Sequence, residues 1–385
     1  MEHSSEAALL LSCARTQIDE ETATRIRRLV ESSLDWSALL GLAREQMVLP
    51  LLYRSLSEVV PNAAPSSVQE RLRDGFRSNV KNNLLLAHEL LDLLDRFDQN
   101  NIPVVPFKGP VAAASVYGDL RLRPFVDLDV LVHPEDVTDA RSLLLSQGFE
   151  EQKPLPDHFD QPASWYLALT EPASKEQAYV RDSGQKIPVP LELHWDLTPR
   201  HFQHPLDPTH LWQRLRTITF LDRQVHAFSP EDTLLYFCIH GTLDQWWPLR
   251  LICDVSELLY GHPELDWKWL MGEAKRLRSE RLFLLGLRLA HELLEAPLPA
   301  SVRERAYSHG AVDSLYEKVT QWLLRPASEV AGYSITQIYP LIAYNLQVRD
   351  RLRDGLGSCI YHIRQTLGAF IYHNSHCPFK IRGET

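Results

Sequence analysis

Two aspartates one residue apart, Asp127 and Asp129, interrupt the apolar run Val126-Asp127-Leu128-Asp129-Val130-Leu131-Val132. Alternation along a strand puts both carboxylates on one face, with Leu128 and Val130 on the other. Aspartate suits strands poorly, and neighbouring like charges repel. Such a pair makes sense with a cation between the acids. Carboxylate oxygens suit Mg²⁺, which leaves waters and substrate phosphates to complete its octahedron. The short motif by itself fits equally a half-buried strand whose polar face meets solvent. A second run, Pro190-Leu191-Glu192-Leu193-His194-Trp195-Asp196, alternates in the same way. It puts Glu192, His194 and Asp196 on one face and Leu191, Leu193 and Trp195 on the other. If the two strands are neighbours, Glu192 joins the aspartates. Three carboxylates can hold two divalent ions, and one of them can take a proton from an acceptor hydroxyl. His194 either orients a carboxylate or substrate or is a plain hydrogen-bonded strand histidine.

Phe107-Lys108-Gly109 ends one predicted strand and opens a helix, where backbone N–H groups and the helix dipole favour an anion. Gly109 lets the backbone approach closely, and Lys108 adds a point charge suited to phosphate. Lysine is scarce in this chain, nine against 31 arginines, so its use at this turn is informative. Just ahead of the Asp strand stand Arg121 and Arg123. Either could offset triphosphate charge in a transition state, or both could form a solvated basic turn. Arg123 is the favoured phosphate contact; Arg121 stays open.

These residues need elements to position them. Residues 1–100 read as helical: Asp35 is an N-cap for a helix from Trp36, Val59 to Pro65 is a loop, and Val68 to Asn100 carries leucines at helical spacing. From Asn101 the pattern changes. Ile102 to Phe107 is a predicted strand, Val111 to Tyr117 a short helix, and Phe125 to Val132 a strand. Glu135 to Gln147 follows as a helix closed by Gly148, with a short strand at Phe149. Further strands are predicted near Tyr166 and Tyr179 and from Ile187 to Leu197, followed by a loop rich in His and Pro. Ser229-Pro230-Glu231-Asp232 then opens a helical region reaching about Ile371. The expected fold class is α+β: a small mixed β-sheet core with helices (101–228), flanked by N-terminal (1–100) and C-terminal (229–385) helical regions.

Bulk properties limit the partners. With 44% hydrophobic and 23% charged residues the chain can bury a sizeable core. A formal net charge of −10 disfavours nucleic acid, whose capture needs a basic face. The five cysteines are scattered without CxxC spacing, which points to reduced thiols and a cytoplasmic location rather than disulfides or zinc. Leu10-Leu11-Ser12-Cys13 looks like a lipoprotein cleavage site, but Glu2 and Glu6 without Lys or Arg before it argue for an ordinary helix start. No apolar run reaches the length of a membrane span.

Taken together, Phe107-Lys108-Gly109, Tyr117, Arg123, Asp127-Leu128-Asp129 and Glu192-Leu193-His194-Trp195 resemble the polymerase-β-like nucleotidyltransferase superfamily. More narrowly they look like the bacterial group of uncharacterised nucleotidyltransferase family proteins. That group's later helix pattern is matched by His240-Gly241, Trp247, Leu249-Arg250 and Asp254, so the resemblance spans about residues 30–260. It implies a nucleotidyltransferase fold, with Asp127, Asp129 and Glu192 as catalytic metal ligands for Mg²⁺ or Mn²⁺. Lys108, Gly109, Arg123 and His194 would surround an NTP, most simply ATP. Many superfamily members carry Gly-Ser or Gly-Gly at the first motif; here Pro110 follows Gly109 and offers no N–H, so the phosphate grip differs. The reading is an enzyme passing a nucleoside monophosphate to an unknown small-molecule or protein acceptor, without a membrane or nucleic-acid partner. The alternatives are an inactive nucleotide- or peptide-binding module and a toxin-like transferase acting on tRNA. His240, Trp247, Arg250 and Asp254 either dock the C-terminal lobe, as an aromatic and a buried ion pair, or touch substrate.

Overall fold

The computed structural model describes residues 4–152, 175–184, 187–198, 206, 208–324 and 343–350. Five helices come first: α1 (Ser5–Cys13), α2 (Glu20–Val30), α3 (Trp36–Glu45), α4 (Leu49–Val59) and α5 (Ser66–Gln99). Asp35 caps α3 as its type predicts, accepting from the N–H groups of Ser37 and Ala38. The core then runs β1 (Val104–Pro106), α6 (Gly109–Tyr117), β2 (Leu128–Val132), a 3₁₀ turn (Pro134–Asp136), α7 (Val137–Ser146), β3 (Glu150–Glu151), β4 (Glu176–Asp182) and β5 (Pro188–His194). After α8 (Pro208–Gln213) come β6 (Arg216–Phe220) and β7 (Arg223–Ala227). The C-terminal helices are α9 (Pro230–Leu243), α10 (Arg250–Gly261), α11 (Trp267–Arg276), α12 (Glu280–Leu294), α13 (Ala300–Ser308) and α14 (Gly310–Leu323).

The strand order is β1-β2-β5-β4-β3, and β2 and β5 are its parallel pair. The expected α+β class with a small mixed sheet is what the chain forms. Apolar residues on one face of the central strands, Leu128, Val130, Leu191 and Leu193 among them, pack with the α5 leucines and with Leu143 and Leu144 of α7. That packing fixes register, because a slip by one residue would drive Asp129 into this layer. The opposite face, with Val105, Phe107 and Leu131, meets α9 through Phe228 and Tyr236. The site forms at this second face.

Two expectations of the sequence are corrected. The chain after Pro199 and before Ser229 reads as loop, but Arg216–Ala227 is a two-stranded hairpin preceded by α8. Its turn, Leu221-Asp222, lacks the usual Asn-Gly signature, and Leu221 has φ of 50°. The Asp strand also starts later than expected, at Leu128, so Asp127 lies at its mouth. The strand expected near Tyr166, and the last part of the predicted C-terminal helical region, lie outside the described residues. Among the described residues no helix is long and apolar enough to cross a membrane.

The helices before and after the core in sequence share one buried cluster, in which Leu9, Leu10 and Ile26 join Phe283, Leu285 and Leu289. Buried Gln46 ties the two parts together: its Oε1 accepts from the Leu249 N–H (2.6 Å) and its Nε2 donates to the Leu323 carbonyl (2.7 Å).

Candidate active site

The parallel β2/β5 pair sets Asp129 in register with Glu192 and Leu131 with His194. Residues in register on adjacent strands share a face, so the alternation seen in each run separately brings Asp129, Glu192 and His194 together. The other neighbour of β5 is antiparallel β4, which sets Glu176 opposite His194. The His194 ring is buried: its Nε2 lies 3.2 Å from Asp129 Oδ1 and 3.3 Å from Glu192 Oε2, and its Nδ1 3.0 Å from Glu176 Oε2. Phe107 packs edge-on to the imidazole, with centroids 5.0 Å apart, and stacks on Phe228. Glu176 falls in a stretch whose sequence reads mainly as polar and Pro-rich; a strand is expected near Tyr179, but nothing in the sequence singles out this acid.

Lys108 approaches Asp129 from β1, with Nζ 2.7 Å from Oδ1. Gly109 follows with φ of 51°, and a Cβ there would stand 3.0 Å from the carbonyl oxygen of Asp127. Glycine is therefore required both for the conformation and for the close passage of the loop over the strand mouth. Asp127, His240, Asp244, Arg250, Lys175 and Tyr236 join these residues around a cavity of about 350 Å³. His240 Nδ1 lies 3.0 Å from Asp244 Oδ2 one turn on.

The electrostatics divide the acids. Burial would raise the carboxyl of Asp129, but Lys108 and His194 hold it far below the usual range. Burial would also lower Lys108 and His194. The carboxylates prevail, keeping Lys108 well above its ordinary value and lifting His194 to about 9, so both are cations at neutral pH. Glu176 is pulled to about 2, because His194 and Lys175 outweigh its burial. Asp127 differs. Burial and then the Asp129 charge push it up to about 6, and among the described residues its carboxylate has no hydrogen-bond or ion-pair partner. An uncompensated acid beside a neutralised one, at the wall of a cavity, is short of positive charge.

A divalent cation fits that deficit. One ligand atom each from Asp129, Glu192 and His194 lies within 4.8 Å of the others, a donor set of two oxygens and one nitrogen. Asp127 stands outside this close group but lines the same cavity. The sequence puts Asp127, Asp129 and Glu192 in the ligand set; His194 lies within reach of it, but its carboxylate partners keep the ring protonated, so it would have to give up that proton before its nitrogen could join. Arg123 is placed otherwise than a free phosphate contact. It is buried, and its Nε and Nη2 both donate to Asp254 of α10 at 2.8 Å. Tyr117 Oη also donates to Asp254 at 2.7 Å, and Arg250 Nη1 at 2.9 Å. Arg121 sits at the surface on Asp119. Of the C-terminal residues, His240 and Arg250 line the cavity, Asp254 is a buried tie between lobe and core, and Trp247 is partly exposed away from the cavity wall.

A mixed sheet carries an acid at the mouth of one central strand, with a carboxylate, a second acid and a histidine inside. The chain belongs to the uncharacterised nucleotidyltransferase family, whose sequence profile matches residues 32–295. Among solved structures it is similar to an antigenic nucleotidyltransferase-like protein from Paracoccidioides brasiliensis. That match has 20% identity and a TM-score of 0.33, and covers 56% of this chain and 94% of that one. No curated protein matches the chain.

Proposed function

We propose that this protein transfers a nucleoside monophosphate from an NTP, ATP first among them, to a hydroxyl on a small-molecule or protein acceptor, with release of pyrophosphate. The observation that carries the reading is the register of Asp129 with Glu192 on parallel strands, with Asp127 uncompensated beside them. Asp127, Asp129 and Glu192 would hold Mg²⁺ or Mn²⁺, with His194 within reach as a nitrogen ligand. A bound divalent ion would supply Lewis acidity at phosphate and an activated acceptor oxygen. Glu192, less buried than Asp129, would either complete the metal site or take the acceptor's proton. Lys108 would exchange Asp129 for phosphate oxygen when nucleotide enters, and the tight turn at Gly109 brings backbone close to it. Three buried free thiols, Cys13, Cys238 and Cys253, accord with work in a reducing cytoplasm.

One observation favours a second reading. Lys108 pairs directly with Asp129, as suits a module that binds nucleotide and does no chemistry. The two separate when purified protein is mixed with each α-labelled NTP, Mg²⁺ or Mn²⁺ and a small-molecule extract. Label transfer and pyrophosphate release that vanish in Asp127→Asn support transfer. Tight metal-dependent NTP binding with no turnover across extracts favours the binding module. Label arriving on tRNA instead would move the acceptor to nucleic acid, against the net charge of −10.

A further inference from the structure

The buried clasp at the end of α6 and the start of α10 holds more positive than negative charge. One carboxylate, Asp254, receives two guanidiniums: Arg123 through Nε and Nη2, and Arg250 through Nη1. Its oxygens are further occupied by the Tyr117 hydroxyl. Arg123 and Asp254 are almost wholly buried, and the Arg250 side chain is 14% exposed. Among the described residues Arg250 Nε is buried with no hydrogen-bond partner. A buried guanidinium donor without an acceptor is expensive to keep in an interior, unless a ligand oxygen meets it. Arg250 and Arg123 both line the cavity that contains Asp127, Asp129 and Glu192. Among the described residues Arg250 forms an ion pair with neither Asp127 nor Asp244, which line the same cavity.

The start of α6, which lines the same cavity at Lys108 and Gly109, bears on what such a charge is for. A helix start grips phosphate with consecutive backbone N–H groups. At α6 the second residue is Pro110, which has none, and the loop at Gly109 is pressed against the Asp127 carbonyl. The backbone grip is thinned here, and a guanidinium offers planar, paired donors in its place.

We propose that Arg250, held by Asp254 together with Arg123, is the anion subsite of this cavity and takes the β- and γ-phosphates of the triphosphate, hence the departing pyrophosphate. This rests on the transfer reading for the identity of the ligand, while the charge chemistry is that of any polyphosphate. Arg250 is an adaptable partner of Asp254, because Arg123 and Tyr117 keep that carboxylate satisfied when Arg250 turns to a ligand.

The test is calorimetric titration of the full chain with inorganic pyrophosphate, with and without Mg²⁺, on wild type, Arg250→Gln, Arg250→Lys and Arg305→Gln. The last removes an equal charge at a surface pair with Glu280, remote from the cavity lining. The subsite predicts pyrophosphate binding that weakens about tenfold to a hundredfold in Arg250→Gln, less in Arg250→Lys, and not in Arg305→Gln. Pyrophosphate must also displace MgATP competitively. Thermal unfolding of the same samples separates folding from binding: a merely structural Arg250 would lower the melting temperature and leave the pyrophosphate affinity of the folded protein unchanged. That result overturns the proposal, as does wild-type protein that ignores pyrophosphate, or pyrophosphate and MgATP binding side by side. If Arg250→Gln does not fold, the Arg250→Lys comparison decides by the same criterion. Parallel turnover of α-labelled ATP keeps the two ideas apart. Arg250-dependent competition without turnover leaves the subsite standing and removes the transfer reading, whereas turnover with unaltered affinity in Arg250→Gln does the reverse.

Discussion

Asp127 and Asp129 have the same chemistry and sit two residues apart, yet their surroundings give them opposite duties. Asp129 is neutralised by two buried cations, Lys108 and His194; His194 keeps Glu176 and Glu192, so replacing Asp129 with Asn strands Lys108 above all. Breaking a buried pair in this way costs about 3–5 kcal/mol. Asp129→Asn is thus expected to lower stability by that order, read from urea unfolding. Asp127 has no such dependants, and its charge is opposed by burial and by its neighbour. Asp127→Asn should fold at least as stably as wild type while losing transfer by about a hundredfold or more, the scale of removing an electrostatic stabiliser. An Asp127→Asn protein that unfolds earlier than Asp129→Asn would contradict this division. The same asymmetry governs metal. Adding Mg²⁺ or Mn²⁺ should raise the melting temperature of wild type and chelator should return it, because an ion that binds only the native state stabilises it by mass action. In Asp127→Asn the rise should shrink to a small fraction. A metal-independent melting temperature in wild type would count against the centre. The residue types were legible in the sequence, since an acid pair in an apolar strand is conspicuous. Their division of labour was not, because it depends on Lys108 and Glu176 arriving from β1 and β4.

Elements place these groups, and the placing is tightest where α6 begins. Gly109 has a positive φ and passes so close to the Asp127 carbonyl that a Cβ would stand 3.0 Å from it. Gly109→Ala combines backbone strain with that contact and should cost about 1–3 kcal/mol. The loop must then back away from the strand mouth. The expected signature is a lower urea midpoint with an unchanged m-value, together with weaker NTP binding. An alanine variant as stable as wild type would show that the loop has slack. Alternation in the two acid-bearing runs puts Glu192 and His194 on one face and Asp129 opposite to Leu128 and Val130, as found, but Asp127 and Asp196, expected on the same faces, lie outside the strands. Whether β2 and β5 are neighbours is a property of tertiary packing, and no local pattern carries it. The hairpin Arg216–Ala227 was missed for a different reason. Its Thr-Ile-Thr-Phe alternation was present, but Leu221 at the turn is a residue type that seldom adopts positive φ, so the usual turn signal was absent. Arg123 shows the limit from the other side: its type and position suggested phosphate, while the partner that holds it, Asp254, lies 131 residues away.

Among the described residues, helices from before and after the core share one buried cluster with Val105, Phe107 and Leu131 of the sheet face that bears the candidate site. The family profile begins at residue 32, after α1 and α2, yet Leu9, Leu10 and Ile26 are fully buried in the same cluster as Phe283 and Leu289. Polar ties follow the packing: Arg15 and Arg25 both pair with Glu295, and the Thr16 N–H donates to Glu257 at 2.8 Å. Gln46 is the sharpest test of this union, because its amide bridges Leu249 and Leu323, and its own carbonyl accepts from the Arg250 N–H at 3.2 Å. Replacing Gln46 with Leu keeps the volume and leaves an N–H and a C=O unpaired in the interior. Each such group costs about 1–3 kcal/mol, so the variant should lose a few kcal/mol. Because Leu249 directly precedes Arg250, the cavity wall should loosen as well, which predicts a raised KM for NTP. Two-probe unfolding, with tryptophan fluorescence for the helices and far-ultraviolet dichroism for the fold, checks the first point. If the helical parts form one unit with the core, both probes in Gln46→Leu shift together to lower denaturant. If the helices are an independent appendage, fluorescence alone shifts and the sheet transition and KM stay where they were.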